Sequence, residues 1–158
     1  CLKHRRFRSM AHETTNIHGT AVAVRERGLL ILGPTGSGKS KLAIEMLAGG
    51  AGLIVDDLVV VANRQSVLWA SAPMQAPERI EARGFGLLPA ELVGPTRLIA
   101  AIDLGTIEQQ RLPKRRVLDL LGVSLRLFHK PEYGASASAL MLYLSNQDED
   151  PMHLSDGT

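Results

Sequence analysis

Leu29-Leu30-Ile31-Leu32-Gly33-Pro34-Thr35-Gly36-Ser37-Gly38-Lys39-Ser40 joins a short apolar run to a complete G-x-x-x-x-G-K-S pattern. The apolar run reads as a buried strand, and Gly33–Gly38 cannot hold regular structure. From Lys39 to Ala48 the residues Leu42, Ala43, Met46 and Leu47 have the spacing of a one-sided helix, which Gly49, Gly50 and Gly52 end. A strand, a glycine-rich loop and a helix in this order form an anion cradle. The glycines let successive backbone N–H groups point inward, and the helix adds its positive end. Gly33, Pro34, Thr35, Gly36, Ser37, Gly38, Lys39 and Ser40 are therefore the candidate nucleotide-binding residues. Lys39 is expected to reach the β- and γ-phosphates of ATP, and the Ser40 hydroxyl to hold Mg²⁺.

Downstream of the helix, Leu53–Val55 reads as the next strand and runs directly into Asp56 and Asp57. A carboxylate at a strand end facing such a loop can ligate Mg²⁺ or accept a proton from an attacking hydroxyl, and a pair suggests two tasks. Upstream, Ile17–Val24 alternates and is punctuated at Arg25–Gly28, which predicts a hairpin leading into the buried strand. Leu58–Ala62 and Val67–Ala70 predict a second hairpin across Asn63–Ser66. Leu98–Leu104 and Val123–Phe128 read as further strands, and Ala135–Leu144 as a closing helix. More strands than helices, with hairpins, predict an α/β fold built on a mixed sheet with flanking helices.

The 158 residues, 45% of them apolar and 22% charged, are the size of one compact domain. A single cysteine, Cys1, argues against a disulfide scaffold or a cysteine-rich metal site. The apolar runs fall short of the ~20 residues that span a membrane, so a soluble, cytoplasmic protein is expected. The net charge of +2 hides two opposed ends. Residues 1–9 carry Lys3, Arg5, Arg6 and Arg8 without an acid, and residues 148–158 carry Asp148, Glu149, Asp150 and Asp156 without a base. The expected division is a basic tail over 1–9, outside the natural protein if Met10 is its start, a P-loop kinase domain over 10–146 and an acidic tail over 147–158. No nucleic-acid or membrane partner is expected.

Four features together resemble the bacterial HPr kinase/phosphorylases. These are Ile17-His18-Gly19 ahead of the loop, the loop itself with the doubled aspartate after Ile54-Val55, the run Ile80-Glu81-Ala82-Arg83-Gly84-Phe85-Gly86-Leu87-Leu88, and Gln110-Arg111-Leu112. The resemblance spans about Ile17 to Phe128 and implies a phosphoenolpyruvate-carboxykinase-like P-loop kinase domain. It implies transfer of phosphate from ATP to a serine of an HPr-type phosphocarrier protein, in the short form of the family that lacks the amino-terminal domain. On that resemblance the catalytic residues are His18, Lys39, Asp56, Asp57, Arg83 and Arg111. Asp57 takes the proton of the serine hydroxyl, and His18 hydrogen-bonds that aspartate to tune it. Ser40, Asp56 and Glu81 hold Mg²⁺. Gly84 and Gly86 admit the substrate, and a homo-oligomer, usually a hexamer, is implied. The segment that long members associate with phosphorolysis has no counterpart in Leu127–Glu132. Lys114, Arg115 and Arg116 read as solvated, or as a contact for an acidic partner. Two other readings stay open: a P-loop kinase of a small metabolite, and a nucleotide-binding regulatory module without catalysis.

Overall fold

The computed structural model describes residues 13–146, so the basic and acidic tails expected at the two ends lie outside the described residues. The elements are β1 (Glu13–His18), β2 (Thr20–Val24), β3 (Arg27–Leu32), α1 (Lys39–Ala48), β4 (Gly52–Val55), β5 (Leu58–Arg64), β6 (Val67–Ser71), β7 (Arg79–Ala82), β8 (Gly86–Pro89), β9 (Thr96–Glu108), β10 (Arg116–Leu120), β11 (Val123–Pro131) and α2 (Ala137–Ser145).

One nine-stranded sheet runs in the order β1-β5-β6-β9-β3-β2-β4, with β11 also beside β9 and β10 beside β11. Only β3 with β9 and β9 with β11 are parallel, and every other pairing in the sheet is antiparallel. The sheet is therefore mixed, as the hairpin signals predict. The alternating stretch Ile17–Val24 is nevertheless two strands. The chain breaks at Gly19, so that β1 pairs with β5 while β2 pairs with β3 and β4. Hydrophobic alternation runs through that break unchanged, which is why periodicity alone does not reveal it.

Burial on both faces explains why β3 is apolar at consecutive positions. Leu29 and Ile31 pack with Leu42, Ala43 and Met46 of α1 and with Leu140 and Leu144 of α2. Leu30, on the opposite face, packs with Val59, Val61, Leu68 and Leu125. Helix α2 begins at Ser136, whose hydroxyl accepts from the Ala139 N–H at 3.1 Å. At its other end, Nη1 of Arg27 donates to the carbonyls of Leu144 and Ser145, both at 3.2 Å. A cation there meets the negative end of the helix and ties it to the first residue of β3.

The strands β7 and β8 form a separate two-stranded sheet, and β10 is a further strand. Neither is among the strands expected from periodicity. In β7 the residues Ile80 and Ala82 are buried while Arg79 and Glu81 are exposed, and Ile80 joins the core around α1. Gly84 and Gly86 carry the positive φ values of the turn that closes this hairpin, and a Cβ on either would meet nothing within 4 Å.

Candidate functional site

Gly33–Gly38 leaves the carboxyl end of β3 and enters α1, which starts at Lys39. Gly36 and Gly38 have φ of 87° and 101°, and a Cβ built on either would meet nothing within 4 Å. Only glycine takes these angles without strain, and the space beside them is open to a ligand. Nζ of Lys39 donates to the carbonyls of Gly33 at 2.7 Å and Pro34 at 3.2 Å, so its ammonium lies against the loop. The Ser37 hydroxyl is buried without a hydrogen-bond partner, a polar atom left over inside the cradle.

The two aspartates have different surroundings in the structure. Oδ1 of Asp56 accepts from the Ser40 hydroxyl at 3.2 Å and from the Thr20 hydroxyl at 2.8 Å. Thr20 is a site residue that the sequence reading misses. Its signal is position alone, as the first residue of β2 immediately after His18-Gly19, and its hydroxyl is buried. Asp57 is exposed and its side chain makes no hydrogen bond among the described residues. Its φ of 83° is uncommon for a residue with a side chain and costs about 1–3 kcal/mol. The conformation is held from both sides: the Gly19 N–H donates to the Asp57 carbonyl and the Leu58 N–H to the Asp56 carbonyl, each at 3.1 Å. The resulting turn leaves one carboxylate bonded to Ser40 and Thr20 and its neighbour exposed.

His18 ends β1 opposite Leu58, next to this turn. It is exposed, and no hydrogen bond joins its imidazole to either aspartate. Glu81 is exposed on β7, Arg83 is exposed in the hairpin turn that follows, and Arg111 is exposed in the connection between β9 and β10. None of the three is hydrogen-bonded to the loop, to Asp56 or to Asp57. The structure thus joins Ser40, Asp56 and Thr20, with Asp57 adjoining and the Lys39 ammonium held against the start of the loop. No hydrogen bond joins His18, Glu81, Arg83 or Arg111 to this group among the described residues. Among the described residues no group of three His, Cys, Asp or Glu side chains gathers as a metal site. A cavity of about 620 Å³ lined by Arg25, Arg27 and Arg97 lies at the opposite end of β3, away from the loop.

The basic cluster before β10 also differs from expectation. Arg116 is not simply solvated: its Nε and Nη2 donate to the two oxygens of Glu108 at 3.0 and 3.1 Å. Glu108 is buried, and its carboxylate also accepts from the Gln110 N–H at 3.3 Å. The pair closes the connection that carries Arg111. The Arg116 guanidinium holds the Glu108 carboxyl below the usual carboxylate range. A depressed folded-state value means that the pair stabilises above the ordinary carboxylate range and that this contribution disappears as pH falls through the folded value. Glu108→Gln is expected to lower the melting temperature at neutral pH, with the gap to wild type shrinking towards acid. A gap that stays constant with pH would show that the ion pair adds no stability.

The sequence model of the HPr Serine kinase C-terminal domain matches residues 8–104. The chain belongs to this HPr serine kinase family. An HPr kinase/phosphorylase of Bordetella pertussis is 33% identical over 126 residues, covering 72% of this chain and 41% of the relative. One from Mycoplasmopsis pulmonis is 42% identical over 72 residues, covering 46% of this chain and 23% of the relative. The chain thus spans about two fifths or less of the length of these HPr kinase relatives. The solved Hpr(Ser) kinase/phosphatase from Coxiella burnetii superimposes with a TM-score of 0.67 at 20% identity, over 85% of this chain and 95% of that one. At that identity the likeness supports the fold. Among the described residues, no helix is long and apolar enough to cross a membrane.

Proposed function

We propose that this HPr serine kinase domain transfers the γ-phosphoryl group of ATP to a serine hydroxyl of an HPr-type phosphocarrier protein in the cytoplasm. The observation that supports the proposal is the difference in bonding at the aspartate pair: Asp56 is bonded to Ser40 of the loop, while Asp57 stands exposed and unbonded beside it.

The backbone N–H groups of Gly33–Ser40 and the ammonium of Lys39 bind the phosphates. Ser40 and Asp56 would hold Mg²⁺, which supplies charge neutralisation between the phosphates when bound. Their hydroxyl and carboxylate oxygens are the hard donors such an ion takes, and they already meet at 3.2 Å. Thr20 orients Asp56 from the other side. As the serine oxygen bonds to the γ-phosphorus and the bond to the ADP oxygen breaks, Asp57 accepts the serine proton. His18 tunes the aspartate, Glu81 completes the metal site, and Arg83 and Arg111 stabilise charge on the transferring group. These four roles follow from the family resemblance; the four side chains are exposed, where a bound substrate could meet them. A homo-oligomer is part of the same proposal.

Mass spectrometry of HPr-type proteins incubated with the full chain, ATP and Mg²⁺ tests the reading. One phosphate added to a serine is expected. Phosphorylation of a small metabolite with no protein labelled would replace this substrate assignment, and nucleotide binding without any transfer would reduce the domain to a regulatory module.

A further inference from the structure

Strand β9 does not run straight past the glycine-rich loop. It is paired with β3 as far as Leu32 opposite Asp103. On its other side His129 of β11 lies opposite Asp103, but the next residue, Lys130, lies opposite Ile107. Leu104, Gly105 and Thr106 are therefore extra residues that bulge out of β9 at the level where β3 gives way to the loop. The Asp103 carboxylate closes this bulge: Oδ1 accepts from the Gly105 N–H at 2.8 Å and Oδ2 from the Thr106 hydroxyl at 3.0 Å.

The bulge lies directly against the start of the loop. A Cβ on Gly105 would stand 2.9 Å from Cδ of Pro34, closer than such atoms approach, and a Cβ on Gly33 would stand 3.2 Å from Cβ of Leu104. Gly33 and Pro34 are also the two residues whose carbonyls hold Nζ of Lys39. A continuous path of contacts thus runs from Asp103 through residues 104–105 to Gly33 and Pro34, and from their carbonyls to the Lys39 ammonium. Bulges recur beside active sites because they re-aim a short stretch of chain without disturbing the rest of the strand.

The geometry points to Asp103 as a positioning residue: by closing the bulge it sets the first half of the loop, and through it Lys39, for nucleotide phosphate. This rests on the nucleotide-binding reading of the loop given above. Asp103 itself touches neither the loop nor the Asp56 group through a hydrogen bond, so its action is steric and indirect.

Direct titration of the full chain with ATP and Mg²⁺, alongside steady-state kinetics, tests this. Asp103→Ala opens the bulge and is expected to weaken nucleotide binding about tenfold, the scale of one charge-assisted hydrogen bond, with kcat changing less than KM. Asp103→Asn keeps an acceptor for the Gly105 N–H and a partner for the Thr106 hydroxyl, and should restore affinity to within about threefold of wild type. Gly105→Ala, whose Cβ would press on Pro34 at 2.9 Å and on Oδ1 of Asp103 at 3.2 Å, disturbs the same bulge from its other side and should resemble Asp103→Ala. If Asp103→Ala does not fold, Gly105→Ala and Thr106→Val carry the same test through the other contacts. Unchanged affinity in Asp103→Ala, or an Asn variant as impaired as the Ala variant, would overturn the positioning role. Lys39→Ala, measured in parallel, separates the two levels. Loss of binding there but not in Asp103→Ala rejects the positioning role alone, whereas no loss in Lys39→Ala rejects the nucleotide site itself.

Discussion

Asp57→Asn is expected to leave nucleotide affinity within about twofold of wild type and to slow serine phosphorylation by about 10²–10⁴-fold, the usual contribution of a positioned general base. The reason lies in the geometry of the pair. Asp56 is engaged with Ser40 and Thr20, and its carboxylate belongs to the loop. Asp57 has no such partner, sits exposed on a backbone turned to φ 83°, and is held there by hydrogen bonds at both neighbouring peptides. Asparagine preserves the shape and the tolerance for this φ, so a loss of transfer would report the proton-accepting oxygen and not a collapsed turn. Single-turnover phosphorylation of an HPr-type protein, with nucleotide binding measured separately, distinguishes the two. A variant that transfers phosphate at the wild-type rate would remove Asp57 from the chemistry.

Lys39→Ala is expected to abolish measurable nucleotide binding or to reduce turnover by about 10²–10³-fold, the scale of removing one preorganised donor from a site of developing charge. In the structure the ammonium rests on the carbonyls of Gly33 and Pro34. Those bonds are modest compared with a phosphate contact, so the side chain is poised to exchange them for the phosphates. Removing it leaves the backbone cradle but takes away the only side-chain cation bonded to the loop among the described residues. Isothermal titration with ATP and Mg²⁺ reads the effect directly, and unchanged affinity would reject the loop as the nucleotide site. The melting temperature should hardly move, because Lys39 is partly exposed and contributes nothing to the core around Leu42 and Met46.

The loop with its flanking strand and helix was legible in the sequence because its determinants are local. Glycines at positions of positive φ, an apolar strand buried on both faces and an amphipathic helix each leave a mark within a few residues. The aspartate pair was legible for the same reason, as a break in an apolar run. What local pattern could not supply was partnership across the sheet. Thr20 lies 36 residues from the carboxylate it bonds, and Arg116 is drawn from an apparently solvated cluster by Glu108 on another strand. The β7–β8 hairpin was equally hidden, because its strands are four residues each and β8 is exposed at every position, leaving only Ile80 and Ala82 of β7 buried.

By itself, then, the sequence determined that this chain places a glycine-rich loop between a buried strand and a helix, with two carboxylates soon after it. It also determined the mixed character of the sheet, since closely spaced hairpins cannot be parallel. Tertiary structure alone decided which carboxylate is bonded to the loop and which is free, because that choice depends on Thr20 and Ser40 arriving from different elements at one oxygen. It also decided where the bulge of β9 falls. Strand register is a property of neighbours, and the three residues of the bulge, of which Leu104 and Gly105 lie against Gly33 and Pro34, become extra only when β11 is laid beside β9.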